Sequence, residues 1–115
     1  MNKQRRKVLH SVLDKLANLK GASSNSEALE LLHLSIDKIQ QCIDEEQDAL
    51  DNRPESLMWS AINEDMTDNI SDLSNAEADL EVVEEYVEKA VTFNYDLVKE
   101  NVTSIVNLIK QAIHR

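Results

Sequence analysis

The chain has little with which to turn sharply, to cross-link itself or to stack rings: one glycine, one proline, one cysteine and four aromatic residues in 115. So few turn formers and aromatics leave little material for the tight hairpins and aromatic-rich strands of an all-β domain, and long helices are what remain. Cys42 has no second cysteine with which to close a disulfide. The charged start Met1–Lys7 is not followed by the apolar segment of a secretory signal. No uninterrupted apolar run approaches the ~20 residues needed to cross a bilayer. These absences predict a soluble, cytoplasmic protein in a reducing compartment. Without export, the glycosylation-like tripeptides Asn69-Ile70-Ser71 and Asn101-Val102-Thr103 are chance matches.

What is present is hydrophobic periodicity. Hydrophobic residues make up 42%, enough for a core despite the high charge, and the length suits one domain of the usual ~50 to 250 residues. Leu9, Val12, Leu16 and Leu19 recur three and four apart, which predicts a first helix over about 3–20, with Gly21 as a left-handed stop. Ser24 and Glu27 have capping-box spacing and open a second helix over about 25–51. Its stripe is Leu29, Leu32, Ile36, Ile39, Ile43 and Leu50, interrupted by Glu46.

Asp51-Asn52-Arg53-Pro54 predicts a tight helix-to-helix turn, with Asn52 tolerant of left-handed geometry and Pro54 suited to a first helical turn. A third helix over about 55–91 then carries Trp59, Ile62, Met66, Asn69, Leu73, Ala76, Leu80, Val83, Val87 and Ala90. From Val91 the seam steps by one residue to Val91, Tyr95, Val98, Val102, Ile105, Ile109 and Ala112, giving a fourth helix over about 95–114. A single helix from Glu55 to His114 would run about 90 Å at ~1.5 Å per residue, too long for so small a domain to cover, so a break near Thr92 to Tyr95 is expected. The fold class is all-α: an antiparallel helical hairpin or coiled coil forming a three- or four-helix bundle. The hairpin around Asp44 to Met66 should project beyond it with a thin core.

Charge is distributed unevenly. Residues 1–20 carry +5, 27–51 carry −7, 52–92 carry −9 and 93–115 carry +1, for a net −10. The basic start Lys3, Arg5, Arg6 and Lys7 sits at the positive end of its own helix dipole, which acids of the second or third helix can offset. Nucleic-acid contact by this arm is the alternative, whereas the acidic hairpin repels phosphate. Direct nucleic-acid binding is therefore not expected of the chain as a whole. The hairpin acids Asp44, Glu45, Asp48, Glu64, Asp65, Asp68 and Asp72 form either a solvated face or a surface offered to a basic protein partner. Met58 and Trp59, beside Leu57 at the expected tip, either close the core against Leu50 or anchor that partner. Glu46 and Asn69 are either solvent-facing breaks in their seams or polar residues that select register and oligomeric state.

Catalytic constellations are thin. Glu27-x-x-Glu30 and Glu45-x-x-Asp48 have the spacing with which all-α nucleotide pyrophosphatases hold magnesium, yet they lie 18 residues, or ~27 Å, apart on one predicted helix. Glu30-x-x-His33 matches half of a di-iron site, but no second such pair exists. His10, His33 and His114 are expected at the surface or the seam edge, and Cys42 lacks the companions of a zinc site. No catalytic residue, metal or cofactor is expected, nor a membrane partner.

The start Met1-Asn2-Lys3-Gln4-Arg5-Arg6-Lys7 and the stretch Asp44-Glu45-Glu46-Gln47-Asp48-Ala49-Leu50-Asp51-Asn52-Arg53-Pro54-Glu55-Ser56-Leu57 resemble small all-helical proteins encoded by bacteriophages and prophages. The resemblance covers about the first 80 residues and implies a bacterial host cell, but no reaction and no functional residues. Together these features lead to the expectation of a non-enzymatic protein-interaction module. The alternatives are a nucleic-acid-mimicking inhibitor of a host defence or DNA-binding protein, a structural homo-oligomer in phage assembly, and a magnesium-dependent nucleotide pyrophosphatase.

Overall fold

Four helices account for most of the chain because its apolar residues repeat at helical spacing and polar caps mark the ends. The computed structural model describes residues 1–54 and 60–115. Among these are α1 (Lys3–Leu19), α2 (Asn25–Asp51), α3 (Ala61–Lys89) and α4 (Lys99–His114), with a single 3-10 turn at Tyr95–Leu97. Each of the first three helices opens on a side-chain cap. Asn2 accepts from the Arg5 amide at 2.8 Å, Ser24 from the Glu27 amide at 3.1 Å and Ser60 from the Asn63 amide at 3.3 Å. Caps of this kind stabilise a helix by about 1 kcal/mol each. Glu27 does not complete the reciprocal half of its box on Ser24. Its carboxylate instead accepts from the Ser23 amide at 3.3 Å and the Ser23 hydroxyl at 2.6 Å. That pairing holds the carboxyl below its usual range, the hydroxyl contributing more than the amide.

Two expected left-handed residues are not left-handed. Gly21 has no positive φ, and Asn52 lies at φ −91°, ψ 2°. Both turns close instead through short-range backbone bonds, with the Gly21 amide donating to Asn18 O and the Arg53 amide to Leu50 O. The third helix also starts later than the periodicity suggested. Ser60 is extended and caps α3 at Ala61. Residues 55–59, including Met58 and Trp59, lie outside the described residues.

α1 packs on α2, α2 on α3, α3 on α4, and α4 closes the ring on α1, with extents of 54 × 21 × 20 Å. The interior is Leu9, Val12, Leu16 and Leu19 of α1, Leu32 and Ile39 of α2, Leu73, Leu80, Val83 and Val87 of α3, and Val102, Ile105 and Ile109 of α4. Burying one such side chain fully contributes about 1.5–3 kcal/mol. The stripe of α2 is broader than the predicted seam and centred one residue away. Ala28, Leu32, Ser35, Ile39, Cys42 and Glu46 are buried, whereas Leu29, Ile36 and Ile43 flank them, half-buried. A helix that contacts two neighbours needs such a wide face.

The break between α3 and α4 is present, and Val91, placed in the fourth seam by its spacing, is fully exposed there. Neither glycine nor proline makes the break. Asn25, the first residue of α2, donates to Ala90 O at 2.7 Å and Val87 O at 3.4 Å, and accepts from the Phe93 amide at 2.6 Å. One side chain thus satisfies the carbonyls freed where α3 ends and fixes the chain's departure. Among the described residues no helix is long and apolar enough to cross a membrane.

Candidate functional site

The helix lengths set where the bundle stops. Arg5, in the first turn and a half of α1, reaches Glu46 of α2, with Nη2 3.3 Å from Oε1. The Met1 amine lies 4.0 Å from Oε2 of the same carboxylate. Asn69 of α3 donates from Nδ2 to Oε2 at 3.1 Å and accepts on Oδ1 from Arg115 Nη1 at 3.0 Å. Arg115 Nη2 also lies 2.7 Å from Asp72 Oδ2. A polar layer therefore crosses the molecule at the level where α1 begins and the chain after α4 ends. Glu46 and Asn69 are both fully buried. They are thus not solvent-facing breaks in a coiled coil but opposed partners within its seam. The basic start is offset as charge required, through Arg5 and an acid of α2, while Lys3 and Lys7 stay exposed.

Beyond that layer, among the described residues, only the α2–α3 hairpin continues, over residues 47–54 on one side and 60–68 on the other. Among the described residues its interior is thin: Met66 is buried, Leu50 is half-buried, and Ile62, expected in the seam, is 57% exposed while Asn63 turns inward in its place. A groove at this end is lined by Leu50, Asp51, Arg53, Asn63, Glu64, Thr67 and Asp68. Arg53 reaches across it to the capping residue, Nη2 lying 3.4 Å from Ser60 Oγ.

The acids named from sequence divide by position. Asp44, Asp48, Glu64, Asp65 and Asp68 are exposed and Glu45 is half-buried. Among the described residues none of these six forms an ion pair. Asp44 and Glu45 instead accept from Gln40 at 2.9 Å and Gln41 at 3.2 Å, one turn back along α2. Glu64 and Asp68 share the end groove. Asp72 stands apart, committed to Arg115. Crowding of like charge reaches further along the hairpin, where partial burial, then Glu81 and Asp44, pushes the Glu77 carboxyl above its usual range.

The acidic pairs Glu27/Glu30 and Glu45/Asp48 both lie on the continuous helix α2, so they stay far apart along one axis. His33 is exposed as expected, yet its neighbours come from α3 rather than from Glu30. Nε2 lies 3.0 Å from Glu84 Oε2, and Glu88 stands on the next turn. Cys42 is buried against α1, its thiol 3.8 Å from Arg5 O and pushed up to about 11 by burial first and then by Glu45. Sequence periodicity flagged Glu46 and Asn69 as irregular but gave no sign of Asn25 or Arg115, whose partners lie 43 to 68 residues away along the chain. No family profile, curated protein or solved structure matches this chain.

Proposed function

We propose that the chain is a non-enzymatic, phage- or prophage-encoded interaction module that offers the free end of its α2–α3 hairpin to a protein with a basic surface in the bacterial cytoplasm. The observation that carries this is that the exposed acids towards that end have no ion-pair partner among the described residues, Arg53 of the groove being directed to Ser60 instead. Asp44, Asp48, Glu64, Asp65 and Asp68 are exposed and, among the described residues, unpaired, whereas the buried acid Glu46 has its cation supplied from within. Unpaired charges of one sign destabilise a fold through mutual repulsion and favour an oppositely charged partner, raising its encounter rate. The groove between Asp51, Glu64 and Asp68 gives such a partner somewhere to insert a side chain.

The test is affinity capture from a bacterial lysate by the native chain and by a Glu64→Gln/Asp68→Asn variant, followed by titration of the retained protein against salt. The module predicts a protein held by the native chain, released by the variant and bound more weakly as salt rises. Equal retention by both chains, or affinity indifferent to salt, overturns the reading. Displacement of the retained protein by duplex DNA would identify the interaction as nucleic-acid mimicry. Light scattering at high concentration, showing self-association through the same end, would point to a homo-oligomer instead.

A further inference from the structure

On the flank of the hairpin, away from its free end, His33 of α2 faces Glu84 and Glu88 of α3. One donor atom from each of the three lies within 4.8 Å of the others, and His33 Nε2 is 3.0 Å from Glu84 Oε2. We propose that these three residues form a binding site for a divalent transition-metal ion of the zinc type.

Two carboxylates four residues apart on a helix stand on successive turns of one face, so Glu84 and Glu88 project to the same side of α3. The imidazole enters from the neighbouring helix. The two backbones are held in place by fully buried contacts beneath, Ala28 and Leu32 on one side and Leu80, Val83 and Val87 on the other. A rigid two-helix scaffold of this kind is what a preorganised site needs. Zinc sits ~2.0–2.2 Å from imidazole nitrogen and carboxylate oxygen, which places donor pairs about 3 to 3.5 Å apart around the ion. The His33–Glu84 separation falls in that range, and Glu88, on an exposed flexible side chain, closes the rest by rotation.

Charge favours a dication here. The one lysine ion-paired on the neighbouring turns, Lys89, is held by Glu85 at 2.6 Å, and Glu84 and Glu88 have no Lys or Arg partner among the described residues. Donor chemistry selects its type. Magnesium and calcium prefer all-oxygen shells, whereas a nitrogen with two carboxylates suits zinc and its neighbours. Three protein ligands leave a further coordination position for water or for a side chain of another molecule.

Calorimetric titration of the full chain with zinc chloride in a non-chelating buffer tests the site, with the His33 ring resonances followed by NMR. Saturable binding of one ion with a shift of those resonances is expected, and magnesium chloride should give neither. His33→Ala, Glu84→Gln and Glu88→Gln should each weaken binding at least about tenfold, the lower end of what losing even an outer-shell partner does. Glu81→Gln removes the same charge from an exposed position outside the triad and should leave binding within about twofold, since the diffuse field is screened by salt. Unchanged far-ultraviolet circular dichroism separates loss of a ligand from loss of fold. No saturable zinc binding by the native chain, binding that survives His33→Ala, or a loss with Glu81→Gln as large as with Glu84→Gln overturns the assignment.

Discussion

Asn69 donates to Glu46 across the α2–α3 interface at 3.1 Å, and both side chains are fully buried. A buried carboxylate is tolerated only when charge and hydrogen bonds answer it. Here Arg5 provides the charge and Asn69 the bond, so the layer ties α1, α2 and α3 together. Through Asn69 and Asp72 it reaches Arg115 as well.

Replacing one member of this pair should therefore be worse than replacing both. Asn69→Leu leaves Glu46 short of a donor in an apolar setting and should cost about 1–3 kcal/mol, the usual penalty of an unmet buried group. Glu46→Leu/Asn69→Leu removes both polar groups, and Arg5, at 12% side-chain exposure, can turn outward. The double variant should recover much of the loss. Urea unfolding of the two single variants and the double variant checks this. Additive losses would mean that the two residues do not act as a pair.

Asn25→Ala removes the clamp on the α3–α4 connection, two well-formed hydrogen bonds at 2.6 and 2.7 Å. The expected loss is about 1–3 kcal/mol, at ~0.5–1.5 kcal/mol per bond. Asn25→Asp keeps the acceptor for Phe93 but not the donor for Ala90, and should fall between Ala and the native residue. Hydrogen exchange at the Phe93 amide gives a local readout. If that amide stays protected in Asn25→Ala, something else holds the turn.

The contrast between these two features explains what the sequence made legible. Leu9, Val12, Leu16 and Leu19 are buried as their spacing implied, because one helix face repeats every three to four residues whatever it packs against. Ser24 caps α2 for a similarly local reason. Glu46 and Asn69 broke the pattern visibly, but their meaning depended on each other and on Arg5, which lies 41 residues from Glu46. The break after α3 was visible as a phase step, whereas its cause, Asn25, lies 65 residues before Ala90. Periodicity reports which face a residue is on and carries no information about which polar group stands opposite. Asp72 shows the same limit at the surface, where it is indistinguishable in sequence from Asp68.

Cys42 gives the clearest pH dependence. Burial raises its thiol from the usual 9.0 to about 11, so the folded chain holds the proton more tightly than the unfolded one. The stabilisation from this group is complete below about pH 9 and is lost as pH rises towards 11. Cys42→Ala should lose less stability than the native chain between those values, and the difference between the two profiles isolates the thiol from other groups titrating there. At neutral pH a thiol reagent should modify the native chain only at the rate of unfolding, because the sulfur is both inaccessible and protonated. Rapid modification without unfolding would contradict the burial.

Asp72 and Asp68 lie four residues apart on α3, yet the structure assigns them different work. Asp72 is half-buried and 2.7 Å from Arg115, whereas Asp68 is exposed in the end groove. Asp72→Asn should then cost about 1 kcal/mol by loosening a partly shielded ion pair, and leave affinity for a basic partner nearly unchanged. Glu64→Gln/Asp68→Asn should instead weaken the partner, while costing no more than about 1 kcal/mol, the helix-dipole contribution of Glu64 in the first turn of α3. Relief of repulsion at the hairpin end can even raise its melting temperature slightly. Thermal unfolding and partner titration on the same two variants separate the roles. If Asp72→Asn weakens binding as much as the groove pair does, the partner reads total charge, and the hairpin end loses its claim to be the contact.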